Sequence, residues 1–132
     1  MSRCYCAQLR SAARKVGSVY DEALSPLGVN IAQYSLMRTI ERRQPVSFTE
    51  VGRLAQLDRS TIGRNVRVLE RKGLVDTGRG EDDQREAMVR LSPSGTRLLE
   101  AAGPLWEACQ HAIEMRLGSG RMKALDDILH AL

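Results

Sequence analysis

A basic segment between Asp58 and Gly73, placed between a short helix and two alternating strands, constrains the fold of this chain more than any other feature. Its apolar residues Ile62, Val66 and Leu69 fall on one side of a helix, which predicts that this side is buried. Asp58 is a suitable N-cap, and glycine at position 73 supplies the left-handed residue at which helices often end. The polar residues share the opposite side: Arg59, Ser60, Thr61, Arg64, Asn65, Arg67 and Arg71.

The segments on either side of this helix complete a recognisable motif. Ser47 and Glu50 have the spacing of a capping box, which predicts the start of a short preceding helix. After the basic helix, residues 74–79 and 87–91 alternate in polarity and predict a two-stranded hairpin with a polar tip at 80–85. A short helix, a turn, a basic helix and a hairpin in direct succession predict a winged helix-turn-helix.

Amphipathic helices are predicted before and after this unit. A first helix covers residues 4–24, and a second begins after the N-cap residue Asn30. A long helix begins at Pro93, with a bend expected at Gly103–Pro104, and a last short helix follows Gly118. The stripe of the long helix is expected to be Leu98, Ala102, Leu105, Cys109 and Ile113.

We therefore predict a mainly α-helical fold with a small β-hairpin wing, as a single domain over residues 1–132. The winged helix-turn-helix core spans about 30–92, and the terminal helices, about 3–25 and 93–132, serve dimerisation. Their apolar stripes exceed what a core of this size covers, so a homodimer is expected. Two-fold symmetry then predicts a pseudopalindromic operator with half-sites about 10 bp apart.

Positive charge is concentrated where the motif expects a nucleic acid. Residues 59–79 contain six basic and two acidic residues, so this stretch carries the same net charge, +4, as the whole chain. Arginine and asparagine recognise guanine and adenine edges, and arginine also binds phosphates. We predict duplex DNA as the partner. Base contacts are assigned to Ser60, Thr61, Arg64 and Asn65, phosphate contacts to Arg59, Arg67 and Arg71, and a minor-groove contact to Arg85 with Asp83 orienting its guanidinium.

Other classes of protein are disfavoured by what the sequence lacks. It has no apolar run of membrane-spanning length and begins with a polar stretch, so a cytoplasmic protein without a membrane partner is expected. The spacing of Cys4 and Cys6 fits neither a metal site nor a dithiol motif, so no metal and no cofactor are expected. A cysteine enzyme lacks a base and orienter around its nucleophile. A protein-interaction module remains open, and salt-dependent binding to DNA distinguishes it.

The chain resembles the multiple-antibiotic-resistance (MarR) type of bacterial transcription regulators over essentially its whole length. The resemblance is carried by residues 57–65, 69–75, 83–85 and 89–95 taken together. It implies an obligate homodimer with interleaved terminal helices, recognition helices in adjacent major grooves and wings in the flanking minor grooves. It also implies repression that is relieved by a small ligand or by oxidation of a thiol.

Two effector hypotheses follow. Cys6 lies fourteen residues before Tyr20, which is similar to the organic-hydroperoxide-sensing branch of the family, although Arg10 and Ile31 replace the further tyrosines of that branch. The alternative is that the cysteines are small apolar residues of a dimer interface. A small aromatic or anionic ligand is the second hypothesis, with a pocket of Arg10, Arg14, Tyr34 and Met37, whose spacing fits salt bridges and core packing equally well.

Overall fold

Helices account for most of the residues 3–132 that the computed structural model describes. A short 3₁₀ turn, Ser25–Leu27, follows the first helix. The helices are α1 (Tyr5–Leu24), α2 (Ile31–Arg43), α3 (Phe48–Ala55), α4 (Arg59–Arg71), α5 (Pro93–Leu117) and α6 (Ser119–Ala131), and the strands are β1 (Val46–Ser47), β2 (Val75–Arg79) and β3 (Ala87–Leu91).

Four helices begin at a side chain that caps them. Asn30, Ser47, Asp58 and Ser92 each accept a hydrogen bond from the backbone amide three residues later, at 2.8–3.0 Å. These contacts satisfy amides that have no partner inside the helix. The predicted starts of α2, α3, α4 and α5 are therefore confirmed.

The capping box predicted at the start of α3 is only half formed. Ser47 Oγ accepts from the Glu50 amide, but the Glu50 carboxylate accepts from Arg53, with Nε to Oε2 at 2.9 Å. A guanidinium one turn later on the same helical face offers the carboxylate a charge-assisted bond, which outcompetes a neutral backbone amide.

The wing is a three-stranded antiparallel sheet rather than the two-stranded hairpin that the sequence predicts. β1 pairs with β3, so the strand order is β1-β3-β2. Val46 faces Val89 in one pairing, and Thr77 faces the same residue in the other. A two-residue strand is too short to show alternation, which explains why the sequence pattern misses it.

The core lies between α4 and the helices around it. Ile62, Val66 and Leu69 are fully buried, as their spacing predicts, so the polar face of α4 is turned outward. The buried seam of α5 differs from its predicted stripe, because Leu99 is buried while Leu98 is half-buried. The fully buried side chains of the other elements include Leu24, Met37, Ile40, Val51, Val75 and Val89.

The start of α5 is fixed against the corner between α4 and β2. Ser92 Oγ donates to the Gly73 carbonyl at 2.6 Å and accepts from the Gly95 amide at 3.0 Å. A Cβ on Gly95 would lie 2.0 Å from the Leu74 carbonyl oxygen, so a glycine is required at this close approach. The helix then continues without interruption through Gly103–Pro104, where the sequence predicts a bend.

Apolar side chains remain exposed at the two ends of the chain. No residue of α6 is buried, and in α1 burial is restricted to Tyr20 and Leu24 near its C-terminus. The exposed apolar residues at these ends and on late α5 are Tyr5, Leu9, Val16, Met115, Leu125, Ile128, Leu129 and Leu132. None of the helices formed by residues 3–132 combines the length and the apolar character needed to cross a lipid bilayer.

Candidate nucleic-acid interface

An open groove of about 1090 Å³ lies between the outward face of α4, the start of α3 and the wing. α4 supplies one wall, and β2 with the 80–86 loop supplies the other. Five arginines line this groove: Arg59, Arg64, Arg67, Arg79 and Arg85. Since guanidinium groups bind phosphates and guanine edges, the groove has the chemistry of a nucleic-acid surface.

The groove brings together most of the predicted DNA-binding residues. Its lining includes Arg59, Ser60, Arg64 and Arg67 from α4 and Asp83 and Arg85 from the wing. Asn65 and Arg71 are exposed on α4 outside this lining, and Thr61 is half-buried. The helix and the wing thus present arginines on two sides of one groove, which suits two adjacent surfaces of a duplex.

The first turn of α4 is organised by the Asp58 carboxylate. Its Oδ1 accepts from the Thr61 amide and from the Ser60 hydroxyl, each at 2.8 Å. These two bonds, the backbone one first, lower the pKa of Asp58 from 3.8 to about 2. Because the Ser60 proton is used within the turn, Ser60 offers a base edge its oxygen lone pairs and not a donated hydrogen bond.

Arg64 is exposed near the start of α4 and keeps most of its donors unused. One Nη2–H points to Thr61 Oγ1 at 3.4 Å, which is a long hydrogen bond. A guanidinium has five N–H donors, so this contact leaves most of them for a partner in the groove.

The tip of the wing is closed by its own backbone. The Gly80 amide donates to the Glu86 carbonyl at 2.9 Å, and the Glu86 amide donates to the Asp83 carbonyl at 3.1 Å. Asp83 Oδ1 accepts from the Arg85 amide at 2.9 Å, so it shapes the turn, and its role in orienting the Arg85 guanidinium stays a prediction. An aspartate reaches the amide two residues later more readily than a flexible guanidinium, which is the basis of the Asx-turn.

Three residues that line the groove, Arg79, Glu70 and Thr77, were given no role by the sequence analysis. Arg79 ends β2, and its Nη1 donates to the Arg85 carbonyl at 3.4 Å, so it lies beside the wing tip. The Glu70 carboxylate accepts from the Thr77 hydroxyl across the corner between α4 and β2. The charge of Arg79 is visible in the sequence, whereas the contact between Glu70 and Thr77 depends on the turn geometry.

The candidate redox residues lie far apart within one chain. Cys6 is exposed in the first turn of α1, and Tyr20 is buried about 21 Å further along the same helix. The Tyr20 hydroxyl donates to Gln110 Oε1 on α5. Burial, with a contribution from the neighbouring Cys109, raises the pKa of Tyr20, and burial also raises the pKa of Cys109.

The candidate effector residues divide between the surface and the core. Arg10 and Arg14 are exposed on α1. Met37 is fully buried, and Tyr34 is buried against Trp106 with ring centroids 6.3 Å apart. The Tyr34 hydroxyl also accepts from Arg38 Nε at 3.1 Å. A fully buried methionine is packed on every side, so these four predicted residues do not share an accessible pocket within one chain.

Comparison with known proteins agrees with this geometry. A family model described as the MarR family matches residues 27–86. The organic hydroperoxide resistance transcriptional regulator of Bacillus subtilis is 25% identical over 97 residues, which cover 74% of this chain and 66% of that protein. The chain therefore spans about two thirds of the length of this relative. The HTH-type transcriptional regulator FarR of Neisseria gonorrhoeae is 27% identical over 109 residues, covering 83% of this chain and 75% of FarR.

Two solved structures extend the similarity to almost the whole chain. The M. tuberculosis transcriptional regulator MosR, crystallised in complex with DNA, is 31% identical and has a TM-score of 0.83, with 96% of this chain and 93% of MosR covered. A mutant of E. coli MarR in complex with operator DNA shares the fold, with a TM-score of 0.85 at 21% identity over 95% of this chain and 90% of MarR. The chain belongs to the MarR family of winged helix-turn-helix transcription regulators.

Proposed function

We propose that the chain is a sequence-specific regulator of transcription that binds double-stranded DNA as a homodimer. The observation that carries this proposal is the groove in which α4 and the wing present five arginines to one partner. MosR, the relative at 31% identity, has been crystallised with DNA. The proposed action is binding and not catalysis, and it requires the cytoplasm, where bacterial DNA is located.

In the proposed complex, α4 enters the major groove and the wing reaches the adjacent minor groove. Residues at the start of a recognition helix lie deepest, so Ser60, Thr61, Arg64 and Asn65 are assigned to base edges. Residues at its border meet the backbone, so Arg59, Arg67 and Arg71 are assigned to phosphates. Arg85 extends from the wing tip, where the negative potential of a narrow minor groove attracts a guanidinium.

The proposed dimer covers the exposed apolar ends of the chain. Leu9 and Leu129 are 51% and 62% exposed, and a second copy offers the same apolar surface in return. A two-fold dimer presents two α4 helices, which matches an operator with two inverted half-sites about 10 bp apart. Occupancy of such an operator represses transcription when it overlaps a promoter, and release by a small effector would restore it.

Selection of bound duplexes from a random pool tests this function. We expect an enriched inverted repeat, and an affinity for it that falls steeply as salt rises, because phosphate contacts release counterions. Binding that is absent for all duplexes, or unaffected by salt, would instead support a protein-interaction module. A release assay with peroxides and aromatic acids on the selected operator then identifies the class of effector.

A second candidate function, oxidant sensing, is favoured by the position of Cys6. The residue is exposed in the first turn of α1, beside the apolar end proposed for dimerisation, and one relative is an organic hydroperoxide resistance regulator. In this hypothesis the Cys6 thiolate attacks the terminal oxygen of an organic hydroperoxide, the O–O bond breaks, a sulfenic acid forms, and the alkoxide leaves as an alcohol after taking a proton from water. The added polar group would disturb the interface and weaken DNA binding.

Replacement of single cysteines tests the sensing hypothesis. Cys6→Ser should abolish the release of operator DNA by an organic hydroperoxide, whereas Cys109→Ser, at a buried position, should leave it in place. Cys4→Ser shows whether the second exposed cysteine contributes. Unchanged release from the Cys6→Ser protein would exclude the hypothesis.

A further inference from the structure

The corner between α4 and β2 contains a side-chain contact that crosses its turn. Glu70, in the last turn of α4, accepts a hydrogen bond from the Thr77 hydroxyl, in the middle of β2. The backbone also closes this corner, with the Gly73 amide donating to the Glu70 carbonyl at 2.9 Å and the Leu74 amide to the Leu69 carbonyl at 3.0 Å. The backbone bonds fix the turn, whereas the side-chain bond reaches further out along the wing.

A carboxylate at this place in the groove needs an explanation. Glu70 lines the same groove as the five arginines, and its negative charge, which a neutral hydroxyl does not cancel, repels the phosphates of a duplex, so its presence there points to a role within the fold. Of the three other carboxylates that line the groove, Glu50, Asp83 and Glu86, the first two also accept hydrogen bonds within the chain, Glu50 from Arg53 and Asp83 from the Arg85 amide. Glu70, Glu50 and Asp83 thus act as internal acceptors that shape the walls of the groove.

We propose that Glu70 and Thr77 are positioning residues, whose hydrogen bond fixes the angle between the recognition helix and the wing. This inference rests on the proposed function, since the angle decides whether Arg64 and Arg85 reach their two grooves together. A five-residue strand is about 17 Å long, so a 10° rotation at its base moves the far end by about 3 Å. That displacement is about half the width of the minor groove, about 6 Å.

Thr77 offers a matched pair of substitutions, because its side chain is exposed and valine and serine both suit a strand position. Thr77→Val removes the hydroxyl and keeps the shape, and we expect it to weaken binding to the selected operator about three- to tenfold. Thr77→Ser keeps the hydroxyl and should bind like the unmodified protein. Equal melting temperatures of the two variants establish that the weaker operator binding of Thr77→Val is not caused by a loss of folding stability.

A double-mutant cycle with Arg85 separates positioning from a direct contact. We expect Arg85→Ala to weaken operator binding about tenfold in the unmodified protein but less than about threefold in the Thr77→Val background. The second effect is smaller because the wing of the Thr77→Val protein no longer holds Arg85 at the minor groove. Independent, multiplying effects would overturn the proposal. A protein that binds no duplex at all would instead refute the proposed function, which distinguishes the two failures.

Replacement of Glu70 tests the other half of the contact. Glu70→Gln keeps an oxygen acceptor for the Thr77 hydroxyl, so the coupling between Thr77 and Arg85 should persist, whereas Glu70→Ala should remove it. If Glu70→Gln changes the preferred base at one operator position, the carboxylate reads a cytosine edge, and the positioning role is wrong.

Discussion

The side chain that starts the recognition helix is also an acid with a strongly shifted pKa. Asp58 accepts two hydrogen bonds only in the folded protein, and the pKa of its carboxyl falls from 3.8 to about 2. A lowered folded pKa means that the carboxylate stabilises the fold above pH 4 and loses this contribution as the pH falls toward 2. The start of α4 therefore depends on ionisation of this one group.

Asp58→Asn tests this dependence, because asparagine caps helices without a charge. The unmodified protein should be more stable than the variant at pH 6, and the difference should shrink as the pH falls from about 4 to about 2. Urea unfolding midpoints of both proteins, measured between pH 6 and pH 2, give the difference in stability. A difference that stays constant with pH would show that ionisation of Asp58 does not contribute.

Arg64 and Arg67 are expected to differ although both line the groove. Arg64→Ala should cost about 1 to 3 kcal/mol on the specific operator and relax the preference for one base. Arg67→Ala, a matched loss of one arginine, should weaken specific and random DNA alike and lower the salt slope by about one. Equal weakening on random DNA by Arg64→Ala would identify Arg64 as a phosphate contact.

At the scale of single residues, the local sequence predicts helix N-caps better than it predicts the hydrogen-bond partners of other side chains. Ser92 and Asp58 cap their helices as expected, because a cap is decided by residues within one turn. Glu50 accepts from Arg53 and not from the expected backbone amide, and Asp83 accepts from the Arg85 amide, a contact that the sequence pattern does not predict. The partner of such a side chain depends on how the folded backbone places the nearby donors.

Among the secondary-structure elements, α4 is the one that its sequence predicts most completely. Its buried stripe, N-cap and terminating Gly73 at φ 75° all follow from local patterns. β1 was not predictable in this way, because two residues carry no period and its pairing with β3 joins segments about forty residues apart. The groove could not be predicted from local patterns either, since α3, α4 and the wing meet only in the folded chain.

Two glycines of α5 should respond to alanine to very different extents. Gly95→Ala places a Cβ 2.0 Å from the Leu74 carbonyl oxygen, and backbone cannot yield cheaply, so we expect a loss of about 3 kcal/mol or more. Gly103→Ala meets nothing within 4 Å beyond its chain neighbours, but the Pro104 ring crowds a Cβ on the helical residue before it, which offsets the helix preference of alanine, so we expect a change of less than about 1 kcal/mol. Chemical denaturation of both variants measures these changes. A mild effect at Gly95 would show that α5 does not press against the corner of α4 and β2.

For the whole molecule, the exposed apolar ends of α1 and α6 are the surface proposed for dimerisation. Leu129→Glu places a charge on the apolar side of α6 and should convert the proposed dimer into monomers, because burying an unpaired carboxylate is costly. Leu57→Glu is the control, since Leu57 is 41% exposed in the turn between α3 and α4. Sedimentation velocity distinguishes the two. An unchanged dimer dissociation constant for Leu129→Glu would show that the dimer interface does not include this side of α6.

The effector was the part of the molecule least accessible from sequence. Tyr34 and Met37 have a spacing that fits a pocket as well as a core, and the fold buries both. Arg10 and Arg14 lie on the exposed part of α1, where their surroundings depend on a second copy. A helical spacing alone does not distinguish a residue that lines a pocket from one that packs in a core.

The stacking of Trp106 on Tyr34 gives the protein a built-in optical reporter. Trp106 is the only tryptophan of the sequence, so its emission comes from a single place, the contact between α5 and α2. Since the ring is half-buried there, a shift of α5 away from the core would expose it to water and move its fluorescence to longer wavelength. Any binding event that moves α5 can therefore be followed in the unlabelled protein by the emission wavelength of Trp106.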